Sequence, residues 1–164
     1  MNNDSSFINQ FPYISNANLS TSNGLYIASF NVHRLITHFN QAQLEIISHN
    51  YDIVAIYETW LEKSIVNSSI RIDGYDLVRC DRTGRLGGGV LIYFKSTIAA
   101  RILASSEYIT QKYACEFLIT EFKISNSKLL FAVIYRPLRV KHLLEFFKEV
   151  ESLLPSYKHF VMTG

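Results

Sequence analysis

This sequence predicts a layered α/β domain, with sheets packed inside, on three observations. Short apolar runs recur along the chain, among them Ile53–Tyr57, Val90–Phe94 and Leu129–Tyr135, each consistent with a buried strand. Two stretches of helical periodicity, roughly 37–49 and 140–154, interrupt those runs. Composition supplies the third: 164 residues, 48% hydrophobic and 18% charged, describe one globular domain able to bury a core. Strands interrupted by helices bury both sets of apolar faces only by stacking in layers.

Taken in order, residues 1–24 are rich in Asn and Ser with scattered apolar positions, and read as a disordered leader. The folded part is expected over 25–164. Tyr26 to Phe30 is a β-type run ending at Asn31. A helix over 37–49 follows, its buried face drawn from Leu44 and Ile47, with Phe39 a further candidate. Ile53 to Tyr57 is the next strand. Residues 62–73 are polar and read as a surface loop, and Tyr75 to Arg79 as a short strand. The turn signal Asp81-Arg82-Thr83-Gly84 leads to Gly87, Gly88 and Gly89, then to the strand Val90–Phe94. Ile98 to Leu103 is another strand. Cys115–Ile124 and Leu129–Tyr135 flank Ser125, Asn126 and Ser127 as a hairpin. The second helix carries Leu143, Phe147, Val150 and Leu154 as a stripe and is stopped by Pro155. His159 to Met162 closes the chain as a buried strand.

Bulk properties exclude several classes. A net charge of +2 is too small to argue for a polyanionic partner from the total. Cys80 and Cys115 stand far apart with no Cys-x-x-Cys and read as free thiols of a reducing compartment, one disulfide being the alternative. No stretch has the apolar length of a membrane span, and no basic-then-apolar leader opens the chain. The expected location is intracellular, nuclear or cytoplasmic.

The stretch with most chemical content is YDIVAIYETWL, Tyr51 to Leu61. Its apolar half breaks at Glu58, which places a carboxylate at the last residue of a buried strand. Mg²⁺ takes such a group, together with substrate phosphate and water. The bland alternative is that Glu58 is the first solvated residue beyond the strand. Asn31 has the same two readings, site residue or strand-ending turn residue. Tyr135 is either a site hydroxyl or core packing with its polar tip at the edge. The glycine run lacks the lysine and serine or threonine of a phosphate loop and reads as a tight turn or a close backbone approach. Arg79, Arg82 and Arg85 around that turn are either contacts to DNA phosphates or an exposed charged loop.

Four stretches together, IASFNVHRL, DIVAIYETWL, GYDLVRCDRTGRLGGGVLIYFK and LLFAVIYRPL, resemble the endonuclease/exonuclease/phosphatase superfamily. The nearest branch is the apurinic-type endonuclease domain of non-LTR retrotransposons. A fifth, HFVMTG, is similar to the lead-in to that family's Gly-Asp-X-Asn motif. The resemblance implies a two-layer αββα sandwich, incomplete at its C-terminus. It also implies phosphodiester hydrolysis by activated water with Mg²⁺ or Mn²⁺, Glu58 ligating the ion directly, Asn31 supporting it and Tyr135 donating to the scissile phosphate. DNA would be the substrate, and element RNA and reverse transcriptase partners in a longer polyprotein. His33, Arg34 and Leu138 depart from the family pattern, and the Gly-Asp-X-Asn and Ser-Asp-His motifs are not found, so the chain alone is expected to be inactive. Two alternatives remain: a decayed or domesticated module that binds nucleic acid or protein, and a phosphatase on the same fold.

Overall fold

A computed structural model of the chain describes residues 24–84, 86–106, 115–136 and 143–164. Arg85, Leu138, His142 and all but Gly24 of the expected leader lie outside them.

The described residues form two four-stranded sheets. In the first, β1 (Ile27–Asn31) runs parallel to β2 (Ile53–Tyr57), followed by β4 (Val90–Lys95) and β3 (Tyr75–Cys80), both of these pairings antiparallel. In the second, β5 (Ala99–Ser105), β6 (Glu116–Ile124) and β7 (Ser127–Tyr135) are antiparallel, and β8 (His159–Thr163) lies parallel to β7 at the edge. Helix α1 (Leu35–His49) connects β1 to β2, and α2 (Leu144–Leu153) precedes β8.

Side-chain alternation along each strand decides how the layers stack. Ile53 and Ala55 of β2, with Val90, Ile92 and Phe94 of β4, meet Leu118, Phe122, Leu129, Phe131 and Val133 of the second sheet. The intervening residues Val54 and Ile56 face the other way, onto Leu35, Ala42 and Ile46 of α1. Phe117, Ile119, Leu130 and Ala132 likewise face Phe146 and Val150 of α2. The order is therefore helix, sheet, sheet, helix, the αββα sandwich. Both faces of the central strands are covered, which is why β2, β4, β6 and β7 read as near-continuous apolar runs.

Several element-level expectations are corrected. Helix α1 starts at Leu35 rather than 37, and its buried positions are Leu35, Ala42 and Ile46, with Phe39 packed beside them. Leu44 and Ile47 are 69% and 51% exposed. Both sets satisfy helical spacing, and the sheet selects the one that begins at Leu35. In α2 the same slip occurs: Phe146 and Leu153 face the sheet with Leu143 and Val150, leaving Phe147 and Leu154 exposed. Residues 62–73 are not only a surface loop, because Ile70, in a short 3-10 helix, and Ile72 are buried. Strand β8 is half-exposed at its edge rather than buried, with Met162 in solvent. Ile46→Ala should therefore destabilise the protein by about 2–4 kcal/mol, whereas Leu44→Ala should stay within about 0.5 kcal/mol. Chemical denaturation of the two variants checks the register of α1, and equal losses would contradict it.

Cys80 and Cys115 are buried thiols, neither in a disulfide with the other. Burial pushes the Cys115 thiol up to about 11, so little of it is thiolate at neutral pH. On the outer face of the second sheet, Glu121 accepts a hydrogen bond from the Tyr157 hydroxyl and pairs with Lys128 and Arg101. These partners, Tyr157 foremost, hold its carboxyl below the usual carboxylate range. No helix among the described residues is long and apolar enough to cross a membrane.

Candidate active site

One end of the sandwich gathers the candidate site residues. Strands β1 and β2 are parallel, so their C-terminal ends lie side by side, with Asn31 opposite Tyr57. Strand β4 begins at that end and β3 finishes there, Tyr57 and Cys80 both being opposite Val90. In the second sheet Tyr135, the last residue of β7, is opposite Glu116, the first of β6.

Glu58 lies one residue past β2, not at its last position, and its φ is +59°. That backbone turn directs the segment Glu58-Thr59-Trp60 across the sheet end. Its amides bond to the glycine loop: Thr59 N–H to Gly89 O at 3.4 Å and Trp60 N–H to Gly88 O at 2.9 Å. Its carbonyls receive the start of α1, Arg34 N–H donating to Glu58 O at 2.9 Å and Leu35 N–H to Thr59 O at 2.8 Å. The helix N-terminus, which has no side-chain cap, is thus satisfied by a distant loop.

The carboxylate of Glu58 is held on one oxygen. Oε2 accepts from the Gly88 amide at 3.0 Å and from the Trp60 indole N–H, while Oε1 has no hydrogen-bond partner among the described residues. Trp60 is itself packed against the His33 ring, 4.6 Å between centroids, with the Arg34 guanidinium 5.1 Å from its own ring. Asn31 is exposed, and its Oδ1 accepts from the His33 amide at 3.3 Å.

The glycine run performs the close backbone approach expected of it. Gly87, Gly88 and Gly89 all have positive φ. A Cβ on Gly89 would fall 2.5 Å from Thr59 Oγ1, and one on Gly88 would fall 2.2 Å from Arg82 Cζ. A side chain at Gly89 would press on the segment that carries Glu58, and one at Gly88 would displace the Arg82 guanidinium.

Arg82 spans the two sheets. Its guanidinium makes a bidentate pair with Glu116, Nη2 to Oε2 at 2.6 Å, and its Cζ lies 5.7 Å from the Tyr135 ring centroid. Arg79 donates to the carbonyls of Glu62 and Ile65 and pairs with Asp81. Their side chains are 11% and 14% exposed. The alternative of an exposed charged loop is therefore corrected for Arg79 and Arg82: both are largely buried, with Arg82 paired to Glu116 and Arg79 Nη2 bonded within the protein while its Nη1 is buried without a partner among the described residues. Arg85 lies outside the described residues.

The structure thus brings Glu58 and Tyr135 to one end of the sandwich, linked through Gly88, Arg82 and Glu116, with Asn31 beside them at the end of β1. Trp60, Gly88 and Glu116 were not singled out as site residues from sequence. The signal for Glu116 was a charge directly ahead of the apolar run Phe117–Ile119, 7% exposed once folded. Among the described residues, four of the six non-glycine positions with positive φ, His33, Arg34, Glu58 and Trp60, lie in the loops that follow β1 and β2. Each such residue costs about 1–3 kcal/mol, and such strain concentrates at functional sites.

Among the described residues no group of three or more His, Cys, Asp and Glu side chains could hold a metal ion. Mg²⁺ does not need one, since it binds through one or two carboxylates with phosphate and water completing its shell. The Glu58 carboxylate, with one oxygen fixed and the other open, fits that demand.

No protein-family model matches this sequence, and neither does any curated protein. Solved structures do match. The human Nocturnin catalytic domain with bound sulfate aligns at a TM-score of 0.61 and 10% identity, over 84% of this chain and 62% of that one. D. rerio TDP2 complexed with a single-strand DNA product aligns at 0.55 and 11%, over 84% and 58%. The endonuclease domain of TRAS1, a telomere-specific non-LTR retrotransposon, aligns at 0.57 and 11%, over 84% and 58%. These likenesses give the fold: the chain has the architecture of the endonuclease/exonuclease/phosphatase proteins. It spans 58–62% of the length of each of these three structures.

Proposed function

We propose that this chain carries part of the active site of a divalent-metal-dependent DNA endonuclease, of the kind that nicks target DNA during retrotransposition. The observation that supports this best is the Glu58 carboxylate, oriented by the Gly88 amide and the Trp60 indole at the same end of the sandwich as Asn31 and Tyr135. In this reading the Glu58 carboxylate would ligate Mg²⁺ or Mn²⁺ directly, with the Asn31 side chain in polar support. When bound, such an ion neutralises charge that develops on the scissile phosphate. Gly88 and Trp60 keep the carboxylate from rotating, which preserves its aim before substrate arrives. The Tyr135 hydroxyl donates a hydrogen bond to a phosphate oxygen, a preorganised donor placed where charge grows.

This chain spans about three-fifths of the length of the similar structures, so the activity is assigned to an extended protein that supplies the rest of that fold. Element RNA and reverse transcriptase enter only as companions in such a longer polyprotein. DNA is favoured as substrate because one similar structure holds a single-strand DNA product, and the TRAS1 domain favours the retrotransposon setting.

A supercoiled-plasmid nicking assay tests the reading, run with Mg²⁺ and with EDTA on this chain and on the extended form. The expected result is nicking by the extended form only, abolished by EDTA. EDTA-resistant nicking, or none from either form, would count against a metal-dependent nuclease. Inositol phosphate hydrolysis without plasmid nicking would instead support a phosphatase.

A further inference from the structure

The pair Arg82–Glu116 joins two elements that share no sheet. Arg82 follows β3 of the first sheet, and Glu116 opens β6 of the second. Both side chains are nearly buried, at 11% and 9% exposed, and two parallel hydrogen bonds fix the plane of the guanidinium. That plane covers Gly88 so closely that a Cβ there would fall 2.2 Å from Cζ. A third donor, Nη1, reaches Leu86 O at 3.4 Å in the same loop. Beneath the guanidinium, the Gly88 amide donates to Glu58 Oε2 at 3.0 Å. On the other side, Glu116 is the direct cross-strand partner of Tyr135, whose ring centroid lies 5.7 Å from Arg82 Cζ.

We propose that the Arg82–Glu116 pair is a positioning clasp, which seats the Gly88 amide against the Glu58 carboxylate and ties that carboxylate to the Tyr135 strand. Its functional meaning rests on the nuclease reading, but its geometric effect does not. A metal-ligand carboxylate on one sheet and a phosphate donor on another can act together only if the sheets keep a fixed spacing at that end. The hydrophobic interface between them is non-directional. A bidentate, planar, charge-assisted pair is directional, and a lysine could not reproduce it.

The chain has a single tryptophan, and its indole N–H donates to Glu58. One indole resonance in a ¹H–¹⁵N spectrum therefore reports the carboxylate directly, without metal or substrate. Glu58→Gln sets the reference displacement. Glu116→Gln and Arg82→Lys are expected to move the indole signal the same way in a protein that still unfolds cooperatively. Arg101→Gln, which breaks an exposed pair with Glu121, should leave it in place. An indole signal unmoved in both clasp variants would overturn the proposal, and should Glu116→Gln not fold, Arg82→Lys alone decides. A Mn²⁺ titration followed by Trp60 fluorescence separates the layers of the argument, with about tenfold weaker binding expected in both variants. Metal binding by the wild type with an unmoved indole would remove the clasp and keep the nuclease reading. A displaced indole in a protein that takes no metal would keep the clasp and remove that reading.

Discussion

Glu58→Gln is expected to lower metal-dependent plasmid nicking by the extended protein about 10²–10³-fold, with thermal stability nearly unchanged. The two halves of that expectation have separate causes. Glutamine keeps a carbonyl oxygen able to accept from the Gly88 amide and the Trp60 indole, so the loop junction survives and the change should stay within about 0.5 kcal/mol. What disappears is the negative charge, and with it the ligand for which a hard cation exchanges water. Loss of one preorganised electrostatic partner in a site of this kind costs on the order of 10²–10³ in rate. Nicking rates and a thermal melt on the same preparations check both halves. A wild-type rate in Glu58→Gln would mean that another residue carries the metal.

Phe122→Ala should have the largest effect on stability, a loss of about 3–5 kcal/mol and a fall in Tm on the order of 10 °C. Phe122 is fully buried in the inter-sheet core. Its ring lies 5.2 Å from Phe94 of the opposite sheet and 5.8 Å from Phe131 of its own. Truncation leaves a cavity between two sheets that cannot both relax into it, because each is held on its outer face by a helix. Denaturant titration reads the loss, and a cost near that of a surface substitution would contradict the packing described.

Much of the fold was legible because covered strands announce themselves. Ile53–Tyr57 emerges with the bounds read from sequence, a five-residue apolar run of strand length between Asp52 and Glu58. The helices were located but rotated. Phe146 and Phe147 are adjacent, and either completes a helical stripe, so only the facing sheet chooses between them. The start of α1 was misplaced for a non-local reason: Arg34 and Leu35 are anchored by carbonyls of Glu58 and Thr59, residues more than a turn of sequence away. At the candidate site, Glu58, Asn31 and Tyr135 were legible as strand-end polar residues. The exposed-loop alternative for Arg79 and Arg82 failed because an arginine near a turn looks solvated until its partners are known. The carbonyls of Glu62 and Ile65 and the carboxylate of Glu116 are those partners, brought close only by the folded chain.

The left-handed backbone at His33, Arg34, Glu58 and Trp60 bears on how such a domain ages. Residues that hold an unfavourable conformation are a standing debt against stability, and glycine would relieve it at each of the four positions. Random substitution without selection for chemistry would be free to settle there. A lineage reduced to a scaffold should therefore soften at these loops first, while its strands, whose side chains pack on both faces, change more slowly. This chain holds a glutamate and a tryptophan in that posture, with an arginine and a histidine beside them.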